Sequence, residues 1–310
     1  MSFMYRRPFG RRESEAFLLG SGLGGRMNTM KTFILLVSLT LLLIFIGNLI
    51  GGRQGMIVAL IFAGVMNFVS YWFSDRIVLA MYRAREIRED QRPELHSMVR
   101  ALTAAQGLPM PKIYLMDLPM PNAFATGRNP HHAAVAVTQG ILDIMDEREL
   151  KGVIAHELSH VQNRDVLISS IAATVAGAIF LLARMARFAA IFGVGGRRGG
   201  NRAGILGTLL VAFLAPIAAM IVQMAISRSR EYQADESGAD MSGDPLALAD
   251  ALRKLESATC QAPASVNPVT AHLFIVNPLK GRSLSTLFST HPPLDERIRR
   301  LEHMAHGPVA

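Results

Sequence analysis

Four stretches of this 310-residue chain carry no charged side chain over 18 to 25 positions: Thr32 to Gly52, Gln54 to Ser74, Val166 to Ala183 and Ala203 to Ser227. About 20 apolar residues in a helix cross a hydrocarbon core of about 30 Å. Backbone polar groups have no water there, so a helix is one of the few forms such a run can take. The first two stretches are expected to be membrane helices, joined by a tight turn at Arg53 and its flanking glycines. The first is too long for a signal-peptide core and is followed at once by the second, so no cleavable signal is expected. The third is short and ends at Arg184, which leaves a buried helix of a soluble core open for it. Pro216 in the fourth is tolerable within a membrane helix.

The net charge of +8 resembles a nucleic-acid signal until it is divided along the chain. Residues 1–31 contribute +4, Arg53 +1 and residues 184–202 +5, while 75–165 and 228–310 each stand at −1. The basic excess therefore flanks apolar runs, where it sets orientation and meets anionic lipid. No nucleic-acid partner is expected. Cys260 is the single cysteine, so an intrachain disulfide is impossible and a reducing compartment fits. Residues 1–26 are rich in Arg and Gly and read as an unstructured basic extension ending near residue 30. Translation could start at Met1, Met27 or Met30.

Chemistry enters at His156-Glu157-Leu158-Ser159-His160. Histidines four apart on a helix share one face and can bind a single zinc ion. The glutamate between them reaches the water that such an ion activates and can act as a general base. The bland alternative is a solvent-facing histidine pair on an ordinary helix. Context weighs against it. Asp146 and Glu149 have the spacing of a capping box, and Leu150, Val153, Ile154, Leu158 and Val161 form one apolar face, with the two histidines at its edge.

A catalytic zinc wants a third protein ligand and one open position. A metzincin would supply Gly and His at positions 163 and 166, but these are Asn163 and Val166, which excludes that subclass. Beyond the fourth apolar run comes Glu231-Tyr232-Gln233-Ala234-Asp235. Glu231 is the best candidate ligand. Asp235, one turn on, could accept a hydrogen bond from a ligand histidine and fix its tautomer. A solvated acidic turn is the alternative for this segment. If His160 and Glu231 share an ion, both ends of 166–227 lie on one side of the membrane. The six basic residues before the first apolar run point that side to the cytoplasm. The five arginines of 184–202 would then fall on the far side, against the charge rule.

Between these regions, Glu94 to Ala105 reads as a helix, and Lys112 to Met116 and Ala133 to Val137 as short strands. Leu246 to Leu255 and Leu294 to Met304 read as further helices, the latter with Leu294, Ile298 and Leu301 inward. Residues 261–285 read as a long loop, rich in Pro, Ser and Asn. The fold class is mainly α with a small β-sheet, an α+β zincin-like catalytic domain plus transmembrane helices. The expected divisions are an extension to residue 30, two membrane helices over 31–74, catalytic parts at 75–165 and 228–310, and an apolar hairpin at 166–227.

Four blocks carry a family resemblance: Asn122 to Gly127, His156 to His160, Ser227 to Asp235, and Phe288 to Pro293. Together they resemble the HtpX-type membrane zinc metalloproteases, a heat-shock-associated gluzincin family, over nearly the whole chain from Met27. The resemblance implies one zinc ion held by His156, His160 and Glu231, with Glu157 as base. It implies an inner-membrane protein with a cytoplasmic active site that clears misfolded or damaged membrane proteins. The expected partners are peptide or protein substrates and the lipid bilayer.

Hydrolysis also needs a donor for the developing oxyanion. His291 is the first candidate, with a loop histidine beside a Pro-Pro helix start as its alternative; Arg228 and Arg230 are other candidates. Asn122 reads either as a substrate-docking residue beside an exposed strand edge or as a turn asparagine after proline. His96, His131, His132, His272, His303 and His306 read as surface residues. Two rival functions remain: an intramembrane protease, against which the charges at Asp146 to Glu149 and Lys151 speak, and a non-catalytic membrane scaffold, for which Glu157 has no use.

Overall fold

The structure, a computed structural model, describes residues 11–177, 179, 228–261, 273–276 and 292–306, with backbone alone for 11–29. His291, the second half of the apolar hairpin and most of the long loop lie outside the described residues.

Helix α1 runs from Arg11 to Met81. It is helical by its hydrogen bonds but not straight. Gly52 takes φ +54°, and Asn67 Nδ2 donates to Thr40 Oγ1 at 2.9 Å. Positions 27 residues apart on a straight helix would be separated by about 40 Å. The chain therefore folds back near Gly52 into a helical hairpin, at a residue whose missing Cβ permits the left-handed backbone. Residues 11–26, expected to be unstructured, fall within this helix; no proline follows Pro8 in the segment, so nothing stops the apolar helix from propagating backward.

The hairpin's outer surface is apolar. Eighteen of the twenty exposed large hydrophobic side chains among the described residues lie between Met30 and Met81. Gly52–Met81 is long and apolar enough to cross a membrane; Met30–Phe45 and Val166–Gly177 are shorter apolar helices.

The catalytic part follows. After β1 (Arg85–Glu86) come α2 (Pro93–Ala105), β2 (Lys112–Met116), β3 (Ala123–Gly127) and β4 (Ala133–Thr138). The sheet order is β1-β2-β4-β3, with β2 and β4 parallel and the outer pairs antiparallel. The sequence reading found β2 and β4 but not β3. Ala-Phe-Ala-Thr-Gly lacks β-branched alternation, and it is pairing with β4 that makes it a strand.

Helix α3 (Gln139–Ile144) and helix α4 (Glu147–Gln162) come next. Asp146 caps α4, and Glu149 returns the bond to the Asp146 N–H at 2.9 Å, completing the capping box. Leu150, Val153, Ile154, Leu158 and Val161 are all buried, but so are Glu149, Gly152, Ala155, His156, Glu157 and Ser159. The helix is thus covered on nearly every side, and His156 lies inside the protein rather than at the edge of an apolar stripe.

Its neighbours are β3, β4 and α2, together with α6 (Arg228–Ser242) and α7 (Pro245–Gln261). Between α4 and α6 runs α5 (Val166–Gly177), which packs beside Leu35 and Leu39 on one side and Val78 and Leu79 on another. The last helix, α8 (Leu294–His306), lies on α7 and α6 and buries Ile298 and Leu301 in the main core. The described architecture is mainly helical with one small mixed sheet. Of the histidines read as surface residues, His96 is buried, its Nδ1 3.0 Å from the Arg92 carbonyl; it faces the core side of α2. His131, His132, His303 and His306 are exposed or partly so.

Helices α4 and α6 touch at backbone distance. A Cβ at Gly238 would stand 2.8 Å from both Cα and N of His156. Gly238→Ala must therefore push α6 away from α4, and overpacking of this kind typically costs about 1–3 kcal/mol. Thermal unfolding in detergent should show a lowered midpoint for Gly238→Ala and no loss for Gly64→Ala, where an added Cβ meets open space.

Candidate active site

Helix α4 supplies three side chains to one pocket. His156 and His160 share a face one turn apart, with ring centroids 4.9 Å from each other. From across the α4–α6 contact Glu231 points between them. His156 Nε2 lies 3.9 Å from Glu231 Oε2, and His160 Nε2 lies 3.8 Å from Glu231 Oε1. One donor atom from each residue lies within 4.8 Å of the others, so the trio could hold a metal ion. The spacings are too long for hydrogen bonds and below the roughly 4 Å that two ligand bonds of about 2 Å allow. Two imidazoles and a carboxylate are also a donor set that suits zinc. Glu231 is buried, which removes the solvated acidic turn as an account of it.

Each histidine is backed by a carboxylate. His156 Nδ1 lies 3.0 Å from Asp235 Oδ1, in a bent approach, and His160 Nδ1 lies 3.2 Å from Asp165 Oδ2. Both contacts leave the Nε2 atoms facing Glu231 and hold the rings in the tautomer a metal needs. Burial works against a charged His160 ring, but Asp165 with Glu231 beside it raises its pKa to about 9 when no ion is present. Asp235 is gripped in turn by Arg297, whose Nε and Nη2 donate to the two carboxylate oxygens at 2.8 and 2.7 Å. Burial alone would raise the Asp235 carboxyl; the guanidinium holds it below the usual range.

Glu157 lines the same pocket and also meets the sheet. Its Oε2 accepts from the Ala125 N–H of edge strand β3 at 2.9 Å. Burial pushes its carboxyl up, while His156, His160 and that N–H favour the charged form; the net direction is up. Such a carboxylate is better placed to take and return a proton near neutrality than an exposed one.

The pocket is lined by α4, β3, the starts of α5 and α6 and the segment 273–276 at Leu273, Phe274 and Ile275. That segment, Leu273-Phe274-Ile275-Val276, is wholly buried although it lies within the expected loop. Asn122 holds it. The Asn122 Nδ2 donates to the Leu273 carbonyl at 3.3 Å, and the Ile275 N–H donates to Asn122 Oδ1 at 3.2 Å. Asn122 therefore engages the chain's own main chain instead of facing solvent beside a strand edge, because its amide matches a peptide group in donors and acceptors. Arg297 Nη1 donates to the Ile275 carbonyl at 3.3 Å, so one arginine ties this wall to Asp235.

The remaining candidates separate. Arg230 lines the pocket, with Nη1 3.5 Å from Asp165 Oδ1. Arg228 is exposed and does not line it. Sequence reasoning missed Asp165, Arg297 and Leu273–Val276. The signals were present: Arg297 is a charge on the inward face of an amphipathic helix, and Leu-Phe-Ile-Val is an apolar run in a polar loop.

The model of Peptidase family M48 matches residues 89–305. The Protease HtpX homolog of Syntrophotalea carbinolica is 58% identical over 279 residues, covering 90% of this chain and 99% of that protein. The one from Aquifex aeolicus is 58% identical over 268 residues, covering 85% and 89%. The one from Desulforapulum autotrophicum is 56% identical over 278 residues, covering 89% and 90%. Among solved structures, the crystal structure of S. mikatae Ste24p overlaps 93% of this chain and 66% of that chain, at 18% identity and a TM-score of 0.46.

Arg297→Met should leave Asp235 buried without its guanidinium partner. Breaking one side of a buried pair costs about 3–5 kcal/mol. Chemical denaturation should register a loss of that order, and metal analysis of the purified variant should show reduced content because His156 loses its support. A variant as stable and as fully metallated as the parent would remove Arg297 from this role.

Proposed function

The chain belongs to peptidase family M48 and is a membrane metalloprotease of the HtpX type, and we propose that it is a zinc endopeptidase acting on misfolded or damaged membrane proteins. In this reading His156, His160 and Glu231 would hold the ion. When bound, zinc would supply a Lewis acid and water acidic enough to ionise near neutral pH. Glu157 takes the proton of the attacking water and passes it to the leaving amine, a transfer that needs a carboxylate within reach of both. Asp235 and Asp165 hold the imidazoles in orientation throughout.

One observation carries the reading: the Glu157 carboxylate lies between the His156–His160 pair and the Ala125 N–H of an edge strand. A base there stands beside backbone that an extended peptide can pair with. The oxyanion donor is assigned to His291 on the family resemblance, with Arg230 the nearer of the two arginines. The inner membrane, the cytoplasmic orientation and more than one crossing are part of the proposal. They are supported by the basic N-terminal segment and the exposed apolar hairpin.

The rival of cutting within the bilayer is disfavoured by the charged first turn of α4, where Glu147, Arg148, Glu149 and Lys151 precede the motif within ten residues. A scaffold without chemistry has no use for a buried base beside two ligands.

Glu157→Gln should keep the metal and lose about 10²–10⁴-fold in turnover, measured by digestion of casein with reconstituted protein. Undiminished digestion would sink the assignment of the base. Separately, Glu231→Ala should strip the ion from purified protein, read by elemental analysis; unchanged content would place the third ligand elsewhere. A chelator should abolish digestion by the parent protein, and added zinc should restore it.

A further inference from the structure

The long arm of the hairpin changes character at its domain end. The uncharged run Gln54 to Ser74 closes with Phe68, Tyr71, Trp72 and Phe73, all exposed, and Asp75 and Arg76 follow at once. Aromatic side chains at the end of an apolar run, followed by charges, mark the level of the lipid headgroups. The Phe68 ring centroid lies 6.2 Å from that of Trp72 and 6.4 Å from that of Phe73, and Tyr71 packs edge-on against Trp72. Two cations lie over this cluster. Arg76 sits 5.7 Å from the centroid of Phe73, and Arg128 sits 4.7 Å from that of Trp72.

Arg128 belongs to a different part of the chain. It directly follows β3, the strand that lines the pocket at Phe124 and Ala125 and whose Ala125 N–H meets Glu157. Among the described residues Arg128 has no carboxylate partner, and the one side-chain contact the structure records for it is the Trp72 ring. A guanidinium stacked on an interfacial tryptophan keeps its fork of N–H donors for an anion, and a phosphodiester matches that fork.

We infer that Arg128, stacked on Trp72, is an interfacial anchor that binds the phosphate of an anionic lipid headgroup and fixes edge strand β3 at a set height above the bilayer. This rests on the reading of Gly52–Met81 as a membrane crossing. Arg128 lies three positions beyond Ala125, which keeps the pocket within about 10 Å of the anchor at about 3.3 Å per residue. The substrate class follows: peptide bonds in membrane-anchored chains, within about 10 Å of the point where they leave the bilayer.

Trp72 is the chain's only tryptophan, so its fluorescence reports this level without a label. Full-length protein is reconstituted in vesicles of phosphatidylethanolamine with phosphatidylglycerol that carry a quencher either at the headgroup or at mid-chain. The headgroup quencher should act more strongly. Stronger mid-chain quenching would overturn the anchor while leaving the crossing intact; quenching by neither would overturn both. Function is read with Arg128→Ala. The substrates are membrane-anchored peptides whose cleavable bond lies about three or about ten extended residues from the anchor, roughly 10 or 30 Å. The parent should cut the near bond faster. In Arg128→Ala the near-to-far rate ratio should fall about fivefold, the factor expected for one basic residue at an anionic surface, while a soluble peptide is cut at the parental rate. An unchanged ratio, or equal loss on all three substrates, would overturn the inference.

Discussion

The bidentate contact between Arg297 and Asp235 joins the C-terminal helix to the helix that carries the candidate ligand Glu231. Both groups are buried, and each removes the cost the other would carry alone. Through it the C-terminal helix grips the helix that bears Glu231, and Asp235 in turn reaches His156. The third arm of the same guanidinium fixes the pocket wall at Ile275. Three segments far apart in sequence thus meet at one charge. A hydrophobic replacement could fill the volume but could not orient an imidazole.

The site repeats one device. A carboxylate stands behind each histidine, and the two front nitrogens face a third carboxylate. The two supports differ in origin. Asp165 lies at the end of α4, five residues beyond His160, so local chain geometry delivers it. Asp235 arrives on α6, and the close approach at Gly238 lets it do so. Pairing β3 with β4 then brings the Ala125 N–H to Glu157, which fixes the base between the ligand histidines and the strand.

Local signals were well legible. The capping box at Asp146 and Glu149, strand β2, the histidine pair and the amphipathic α8 each follow from residue types at fixed spacing. Elements that depend on distant partners were not. Strand β3 has a composition that specifies nothing until β4 lies beside it. The segment Leu273–Val276 looked like loop because its partners are Asn122 and Arg297, more than 20 residues away in either direction. Asn122 reads in sequence either as a substrate-docking residue or as a turn asparagine, and the contact its amide makes with Leu273 and Ile275 depends on a segment about 150 residues away.

The amino-acid sequence by itself determined the apolar segments, the motif helix with its cap, and the residue types able to hold a metal. These depend on periodicity and side-chain chemistry within a dozen neighbours. Tertiary structure alone decided that Glu231 meets both histidines, which aspartate serves which ring, and that Arg297 ties the pocket wall to the ligand helix. Apart from the local pair His160 and Asp165, those contacts join residues 22 to 79 positions apart, and their geometry is set by how closely helices pack, which no local pattern encodes.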